Sequence, residues 1–346
     1  MNFEMTDDRR MLADSLGKLL SGRYGIEHRT RVAYAAPYHD PEGWEALAEL
    51  GILYAFAPEE AGGMGGAGFD LLAVFEQLGA ALCPEPLLGA AMAAPLLAAA
   101  GDDLEPLFSG AARYALAVDE PEAPWDPQAG TTEGGDRLTG RKTAIYGGQV
   151  ATEFLVTARK AGRLALYAVK AEEAAVTPWG MIDGGGAAEL MLDGTPARLL
   201  IEDAGEAVAS ALDRGRLALC AEAVGAMDWC YATTLDYLKS RKQFGREIGK
   251  FQALQHRMVE MKTAIEQARS ITILAADRMD GRTTAMAKSL VGRVARKVSE
   301  EAIQLHGGIG MTWEYPLSHY AKRLVMLDAQ LGDADFHTAR VAATYA

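Results

Sequence analysis

Two short stretches of the sequence combine residue types that are unusual inside helical segments. RKQFGREIGKFQALQHRMVEM at 241–261 opens with three charges in six residues around a Phe-Gly pair and then continues as a helix. QLHGGIGMTWEYP at 304–316 breaks a helical pattern with a cluster of glycines. Taken singly, Arg241 is equally well explained as a solvated charge at a helix end, and the glycines as a helix stop. A few local arginines and lysines can also hold a small anionic ligand.

The overall charge restricts the classes of partner. The 346 residues have a net charge of −13, with 49% hydrophobic and 23% charged residues, which is typical of a soluble globular protein of two or three domains. Nucleic acid is disfavoured as the main partner because phosphate binding requires a basic surface. No group of His, Cys, Asp or Glu has the spacing of metal ligands, so we predict no metal site.

The cysteines and the apolar segments predict a cytoplasmic protein. The three cysteines have no CxxC spacing, and their odd number fits reduced thiols, with Cys220 and Cys230 in an apolar helical run that suits a core. The N-terminal MNFEMTDDRR lacks the apolar segment of a signal peptide. The run LLGAAMAAPLLAAAG at 87–101 is too short to span a bilayer, and with Pro95 in its middle it predicts a buried pair of helices.

Hydrophobic periodicity divides the chain into three predicted domains of an α+β fold. Residues 1–107 show helical spacing, with Thr6 and Asp40 as candidate N-caps. Residues 108–205 form short runs rich in β-branched and aromatic residues, which predict a small barrel or sandwich. Residues 206–346 carry long helical runs, as in a bundle. We therefore predict an N-terminal α-helical domain, a central β domain and a C-terminal helical bundle.

Four stretches, in this order along the chain, resemble the landmarks of the acyl-CoA dehydrogenases. The C-terminal pair is YLKSRKQFGREIGKFQALQHRMVEM and AIQLHGGIGMTWEYPLSHYAKR; the earlier pair is WEALAELGILYAFAPEEAGGMGG and LAVDEP with LTGRKTAIYGG. The tail RLVMLDAQLGDADFH is most similar to the short subunits of pimeloyl-CoA and related dehydrogenases. The resemblance implies a helical domain, a β-barrel and a four-helix bundle, assembled as a dimer or a dimer of dimers. It also implies FAD-dependent α,β-desaturation of an acyl-CoA thioester, with electron-transfer flavoprotein or a similar acceptor.

The same resemblance assigns residues to the cofactor. In the family, FAD lies between the β domain and the bundle, and its adenine end reaches a neighbouring subunit. Arg241 would neutralise the pyrophosphate, Phe244 would pack at the adenine side, and the glycines would allow close backbone approach. The implied cofactor-binding residues are Arg241, Phe244, Gln252, Gln304, Gly307, Gly308, Gly310, Asp333 and Asp335.

The chain departs from the family where the catalytic base is expected. Members remove the α-proton with a base, nearly always a glutamate, while FAD takes a hydride from the β-carbon. The usual position, just before a glycine that matches Gly332, holds Leu331. The position used by a minority, at the start of the first bundle helix, holds Gly215.

Several explanations are open for the missing base. The chain can be one subunit of a heteromeric dehydrogenase whose partner carries the glutamate, since short members without it are typical of such enzymes. Asp333 can serve as a catalytic substitute, because a desolvated carboxylate can have a raised pKa; Asp333 and Asp335, however, match positions that touch FAD. The fold can also host another flavin reaction, such as desulfination or oxygenation. In a competing interpretation the chain is a catalytically silent structural subunit that completes a partner's FAD site.

Other positions carry further expectations. Asp119, Ala144 and Tyr146 replace residues of the family's β domain that contact the flavin, so we expect weaker flavin binding there than in the bundle. Arg216 matches an arginine near the acyl-CoA and is the predicted substrate contact; an ion pair at the helix start is the alternative.

Three polar residues of the bundle are assigned no catalytic part. His306 lies inside the second glycine motif and is predicted to be structural. Glu222 and Glu260 lie in long helices and are predicted to be polar contacts or buried structural acids.

Overall fold

A computed structural model of the chain describes residues 5–128 and 130–345. By backbone contacts these residues form two compact units. The first unit contains the described residues up to Ile26, Leu72–Cys83 and the chain from Arg216 onward. The second contains Glu27–Leu71 and Pro84–Gly215. The domain boundaries after residues 107 and 205 stay a prediction.

The N-terminal segment is helical, as predicted. Its helices in the described chain are α1 (Asp7–Arg23), α2 (Ile26–Ala33), α3 (Pro41–Glu49), α4 (Gly68–Ala81), α5 (Leu87–Ala100) and α6 (Glu105–Phe108). The N-cap at Thr6 is confirmed, because its hydroxyl accepts from the Arg9 amide at 3.4 Å. Asp40 occupies the N-cap position of α3, but the predicted side-chain cap is wrong: its Oδ2 lies 2.8 Å from Nε2 of His28 instead.

The predicted helix pair at 87–101 is wrong, since the run forms the single helix α5. Pro95 lies inside this helix without ending it. A proline in a helix removes one main-chain hydrogen bond, and burial of the apolar residues around it outweighs that loss, with Leu96 and Leu97 at 1% and 0% exposure. Gly89 lets α5 approach the next segment closely, because a Cβ there would lie 2.1 Å from the main-chain oxygen of Tyr114.

The central segment forms two sheets around a shared core, which confirms the predicted β domain. Its strands are β1 (Tyr114–Ala117), β2 (Arg137–Tyr146), β3 (Glu153–Lys160), β4 (Arg163–Lys170), β5 (Ala175–Gly180), β6 (Gly186–Pro196) and β7 (Arg198–Ile201). One sheet has the order β1-β3-β4-β7 and the other β2-β6-β5. Alternate residues of both sheets point inward, as the two-residue period of a strand requires. They include Phe154, Val156, Tyr167, Val169 and Leu190.

The C-terminal segment is again helical. The long helix α7 (Gly205–Ser240) leads into a small hairpin of β8 (Lys242–Gln243) and β9 (Arg246–Glu247). Helices α8 (Gln252–Arg278), α9 (Gly281–His306), α10 (Leu317–Ala329) and α11 (Ala334–Ala343) follow. Helix α9 packs against α8, α10 and α11, so its side chains reach all three.

Within the first unit, α4 and α7 touch through their backbones. A Cβ at Gly79 would lie 1.9 Å from the main-chain oxygen of Glu222, and one at Gly225 would lie 2.0 Å from that of Glu76. Glycine is required at both positions because any side chain would force the helices apart. This contact fixes α7 in the unit that contains the candidate site.

Candidate functional site

The RKQFG stretch forms an exposed hairpin tip, where the ring of Phe244 meets that of Phe251 edge-on with 6.1 Å between centroids. Phe244 and Gly245 connect β8 to β9 with φ of 53° and 77°, the two positive angles that a tight hairpin turn needs. A phenylalanine is strained in this conformation, and the Phe244 side chain is 90% exposed. Arg241 is exposed beside it, just after the end of α7. An apolar ring and a cation are thus both presented outward.

The start of α8 lies next to this hairpin. Gln252 is the first residue of α8 and is exposed. The N-cap residue, Phe251, makes no side-chain hydrogen bond to the first turn. The first amide groups of a long helix favour negative charge, so this end adds to the electropositive character that Arg241 provides.

The HGGIG turn follows α9, and its three glycines differ in conformation and surroundings. Gly307 has φ of 69° and ψ of −150°, a conformation that only glycine adopts readily. Gly310 is packed, since a Cβ there would lie 3.0 Å from the Cβ of His306. Gly308 is exposed, its φ is not positive, and a Cβ there would meet no atom within 4 Å. Gly310 therefore has a reason within the chain, whereas Gly308 has none in the part of the chain that the structure describes.

His306 has the contacts of a structural residue. Its Nδ1 donates to the main-chain oxygen of Ala302 at 2.9 Å, and its ring stacks on that of Tyr237 with 4.4 Å between centroids. Burial lowers the pKa of His306, which keeps the ring neutral. Gln304, two residues earlier on α9, is exposed.

A tight turn at residues 330–332 connects α10 to α11, and it contains the position where the family's base is expected. Leu331 and Gly332 have φ of 56° and 102°. Leu331 is buried, with 7% exposure. A Cβ at Gly332 would lie 2.5 Å from the Phe336 ring, so this position requires glycine for its angle and for space.

Three basic side chains hold the main-chain oxygens of this turn. Arg216, on α7, donates from Nε to Leu331 O at 3.0 Å, and His337, on α11, donates from Nε2 to the same oxygen at 3.1 Å. Lys288, on α9, donates to the carbonyl oxygens of Gly332 and of two residues at the end of α10. The structure thus brings Arg216 and Leu331 together as neighbours.

No role for Lys288 was predicted from the sequence. It lies at helical spacing from Thr284, Val291 and Ala295, which all face the buried stripe of α9. The available signal was its position on the apolar face of the helix, because a buried lysine must either form hydrogen bonds or lose its charge.

The two aspartates after the turn differ in environment. Asp333 is the N-cap of α11, and its Oδ1 accepts from the Phe336 amide at 2.8 Å. Asp335 lies in the first turn of α11 and is exposed. One oxygen of Asp333 is therefore engaged in helix capping, which reduces its freedom to act as a base.

The two glutamates of the long helices also differ. Glu222 is buried and receives two hydrogen bonds from Arg323, at 2.6 Å and 2.8 Å, so it is a structural acid that ties α7 to α10. Glu260 is exposed on α8, so the alternative of a buried acid is wrong there; its position is on the solvent side of the helical period.

In the second unit, a buried Glu120 organises the loop around the β-domain departures. Its carboxylate accepts from Lys142 at 2.8 Å and from the amides and hydroxyls of Thr131 and Thr132. These hydrogen bonds outweigh burial and lower the pKa of Glu120 to about 2. Next to it, Asp119 accepts the Trp125 amide at 2.9 Å.

Ala144 and Tyr146 lie at the end of β2, in the same unit. Both are half-buried, and Ala144 has φ of 49°. Asp119, Ala144 and Tyr146 thus belong to one β domain, and the structure assigns none of them a ligand.

Neither a membrane-spanning helix nor a metal-ligand cluster is found among the described residues. Within residues 5–128 and 130–345, no helix is both long enough and apolar enough to cross a bilayer. In the same residues no three His, Cys, Asp or Glu side chains are grouped to hold a metal ion.

Comparison with known proteins matches both ends of the chain to one family. Residues 6–104 match the acyl-CoA dehydrogenase N-terminal domain, and residues 204–345 match the acyl-CoA dehydrogenase C-terminal domain. The acyl-CoA dehydrogenase IpdE2 of Mycobacterium tuberculosis is 33% identical over 323 residues, covering 92% of this chain and 91% of the relative.

Solved structures agree with this match. The ChsE4-ChsE5 complex from Mycobacterium tuberculosis contains a chain with a TM-score of 0.91 and 26% identity, covering 100% of this chain and 99% of that one. A Tcur3481-Tcur3483 steroid ACAD has a TM-score of 0.90 and 28% identity, with 98% of each chain covered. These matches confirm both the predicted fold class and the predicted resemblance.

Proposed function

We propose, since the chain belongs to the acyl-CoA dehydrogenase family of FAD-dependent oxidoreductases, that it acts as a subunit that lacks its own catalytic base and works with a glutamate-bearing partner. The observation that carries this proposal is the buried Leu331 in a turn whose Leu331 and Gly332 carbonyls are both held by basic side chains. A leucine cannot accept the α-proton of a thioester substrate, and Gly215 cannot either.

The residues of the two motifs fit the cofactor of the family. Arg241 would face the pyrophosphate, Phe244 the adenine side, and Gln252 and Gln304 would donate hydrogen bonds. The open surface over Gly307 and Gly308, where no chain atom would meet a Cβ, would accept the ADP portion. When bound, FAD accepts the hydride from the β-carbon of the substrate.

The chain's own acids are poor substitutes for the missing base. Asp333 uses one oxygen to cap α11, and Asp335 is exposed to solvent. We therefore assign Asp333 and Asp335 to helix capping and to the cofactor, and the base to another chain. Arg216 remains our candidate for the substrate contact, since its guanidinium lies against the turn at 331.

Two similar structures support a two-component assembly. ChsE4-ChsE5 and Tcur3481-Tcur3483 are each named as a pair of chains, and the second is named a steroid ACAD. By analogy we propose a heteromer for this chain, with steroid-derived acyl-CoA thioesters among the first substrates to test. The electron acceptor we propose is electron-transfer flavoprotein or a similar protein in the cytoplasm.

The second candidate is a catalytically silent subunit that completes the partner's FAD site. The 90% exposure of Phe244 and the open space over Gly308 favour it, because surface that the described residues leave uncovered can serve a neighbour. Both candidates predict the same assembly but differ in whether this chain contacts substrate through Arg216.

Co-expression tests the proposal. The chain is produced alone and together with a longer relative that has a glutamate before the glycine matching Gly332, and each preparation is examined by native mass spectrometry. We expect a heteromer with bound FAD from the pair. A stable homomer of this chain that desaturates acyl-CoA would refute the proposal. Arg216→Met in the complex then separates the candidates: a raised KM supports substrate contact, and unchanged kinetics support the silent subunit.

A further inference from the structure

Lys288 is a buried ammonium group whose hydrogen bonds all go to the main chain. The residue is 1% exposed. Its Nζ donates to Leu327 O at 2.8 Å, Asp328 O at 2.7 Å and Gly332 O at 3.0 Å. An ammonium group has three N–H donors, so all are used.

Burying a charged side chain at this position costs free energy, which its hydrogen bonds must offset. Burial disfavours an ammonium group strongly, and a methionine would fill the same stripe of α9 without that cost. Two of the accepting carbonyls, of Leu327 and Asp328, belong to the last turn of α10, where the helix leaves its carbonyls unsatisfied. The third, of Gly332, belongs to the last residue of the 330–332 turn. Lys288 thus connects the end of α10 to the end of the turn.

The turn that it closes is strained, and its carbonyl oxygens accept hydrogen bonds from side chains of α7, α9 and α11. Leu331 adopts a left-handed φ of 56°, which disfavours any residue with a side chain. The Arg216 and His337 contacts go to the carbonyl of Leu331 and leave its side chain uninvolved. These two hydrogen bonds use an oxygen that every residue type has, so a substitution at 331 leaves their acceptor in place.

We propose that Lys288 is a positioning residue, which locks the 330–332 turn from α9 and so fixes where the chain presents position 331. This lock explains why the turn keeps the left-handed φ of residue 331 although that position holds a leucine and not a glutamate. The inference rests on the proposed function only for the significance of position 331; the lock itself can be tested without flavin or substrate.

The burial of Lys288 makes the lock sensitive to alkaline pH. Burial lowers the pKa of Lys288 to about 8. The titratable groups that act on it are Cys220 and Arg216 from α7, Asp328 from α10, and Asp333 after the turn. On α11, burial first, and then Arg216 and Lys288, lower the pKa of His337. Above this pKa the neutral amine has two N–H donors for three carbonyls, so one carbonyl loses its partner.

Hydrogen exchange of the full-length protein, followed by mass spectrometry, tests the proposal. Lys288→Met removes the donors at similar size, and Lys297→Met, at an exposed position of the same helix, is the control. We expect Lys288→Met to accelerate exchange in peptides covering 329–336 by about tenfold or more, the value of one hydrogen bond to a charged group. Peptides of α9 itself and of the β strands should keep wild-type rates, and Lys297→Met should change none of them.

A pH series on the wild-type protein provides the second measurement. After correction for intrinsic exchange, the turn should lose protection between pH 7.5 and about 9 in the wild type, but not in Lys288→Met, where the lock is already absent. Wild-type protection of the turn in Lys288→Met would overturn the proposal. If that variant does not fold, a wild-type turn with no loss of protection above pH 8 would overturn it equally.

Discussion

Gly308→Val distinguishes a glycine that the chain needs from one that a bound group needs. In the structure a Cβ at Gly308 meets nothing within 4 Å, and the residue is exposed without a left-handed φ. Nothing in the described chain therefore opposes a side chain there. We expect the free energy of unfolding to change by no more than about 0.5 kcal/mol, as for other exposed positions.

The effect on the cofactor should be much larger. If the main chain of Gly307 and Gly308 contacts the ADP portion of FAD, three added carbon atoms would occupy the space of the cofactor. We expect FAD affinity to fall about 100-fold, or about 2.7 kcal/mol. A large effect on binding without an effect on folding is the signature of a glycine that serves a ligand.

The assay compares the flavin content and the thermal unfolding of the purified assembly. Gly25→Val is the matched control, because Gly25 is also exposed, has no left-handed φ and has no atom within 4 Å of its Cβ, but lies outside both motifs. We expect Gly25→Val to keep both its flavin and its stability. A Gly308→Val assembly with full flavin content would refute the placement of the cofactor at this turn. An unfolded Gly308→Val variant would contradict the open space described around Gly308.

Three other perturbations follow from the same structure. Arg323→Met leaves Glu222 buried without its partner and should destabilise the fold by about 3–5 kcal/mol in urea unfolding. Adding Glu222→Met should recover most of that loss. Burial lowers the pKa of His337 from 6.5 to about 3, so its contribution to stability is complete above pH 6.5 and is lost as the pH falls towards 3. The loss should approach about 1.4 kcal/mol per pH unit in that window, and His337→Gln should flatten it. Leu331→Glu should place a carboxylate in the held turn beside Arg216 and let an FAD-loaded assembly bleach with acyl-CoA where the wild-type site does not; adding Lys288→Met should reduce the rate.

Each of these has a control or a contradicting result. Arg296→Met breaks an exposed pair with Glu300 and should cost less than about 1 kcal/mol; an equal loss in both variants would contradict the argument from burial. If the stability of His337→Gln fell with decreasing pH as steeply as that of the wild type, groups other than His337 would dominate the pH dependence. A Leu331→Glu protein with no bleaching, although it holds FAD and substrate, would place position 331 away from the α-carbon.

The regular elements were predictable because their signals are local. Thr6 as a cap, Gly307 as a stop and the alternating runs of the β domain all act within a few residues of themselves. The helix α5 was misjudged because Pro95 is a strong local breaker, while the burial that overcomes it comes from distant residues. Local rules cannot weigh packing that depends on the rest of the fold.

Site residues that form motifs were predictable from the sequence, whereas residues that act through hydrogen bonds to the main chain were not. Arg241, Phe244 and Gly308 were found because their types are out of place in a helical segment. Lys288 was missed because its partners are carbonyl oxygens about forty residues away, which leave no trace in residue type. The packing of Gly310 against the Cβ of His306, four residues earlier, was not predicted either, because it depends on the conformation of the turn between them.

The most direct test of a subunit without its own base is an anaerobic titration with a panel of acyl-CoA thioesters, monitored by flavin absorbance. The purified chain is loaded with FAD and titrated alone, and then in complex with a glutamate-bearing relative. We expect no bleaching for the chain alone and rapid bleaching for the complex. Bleaching by the chain alone would contradict it, and loss of that bleaching in Asp333→Asn would identify Asp333 as the base.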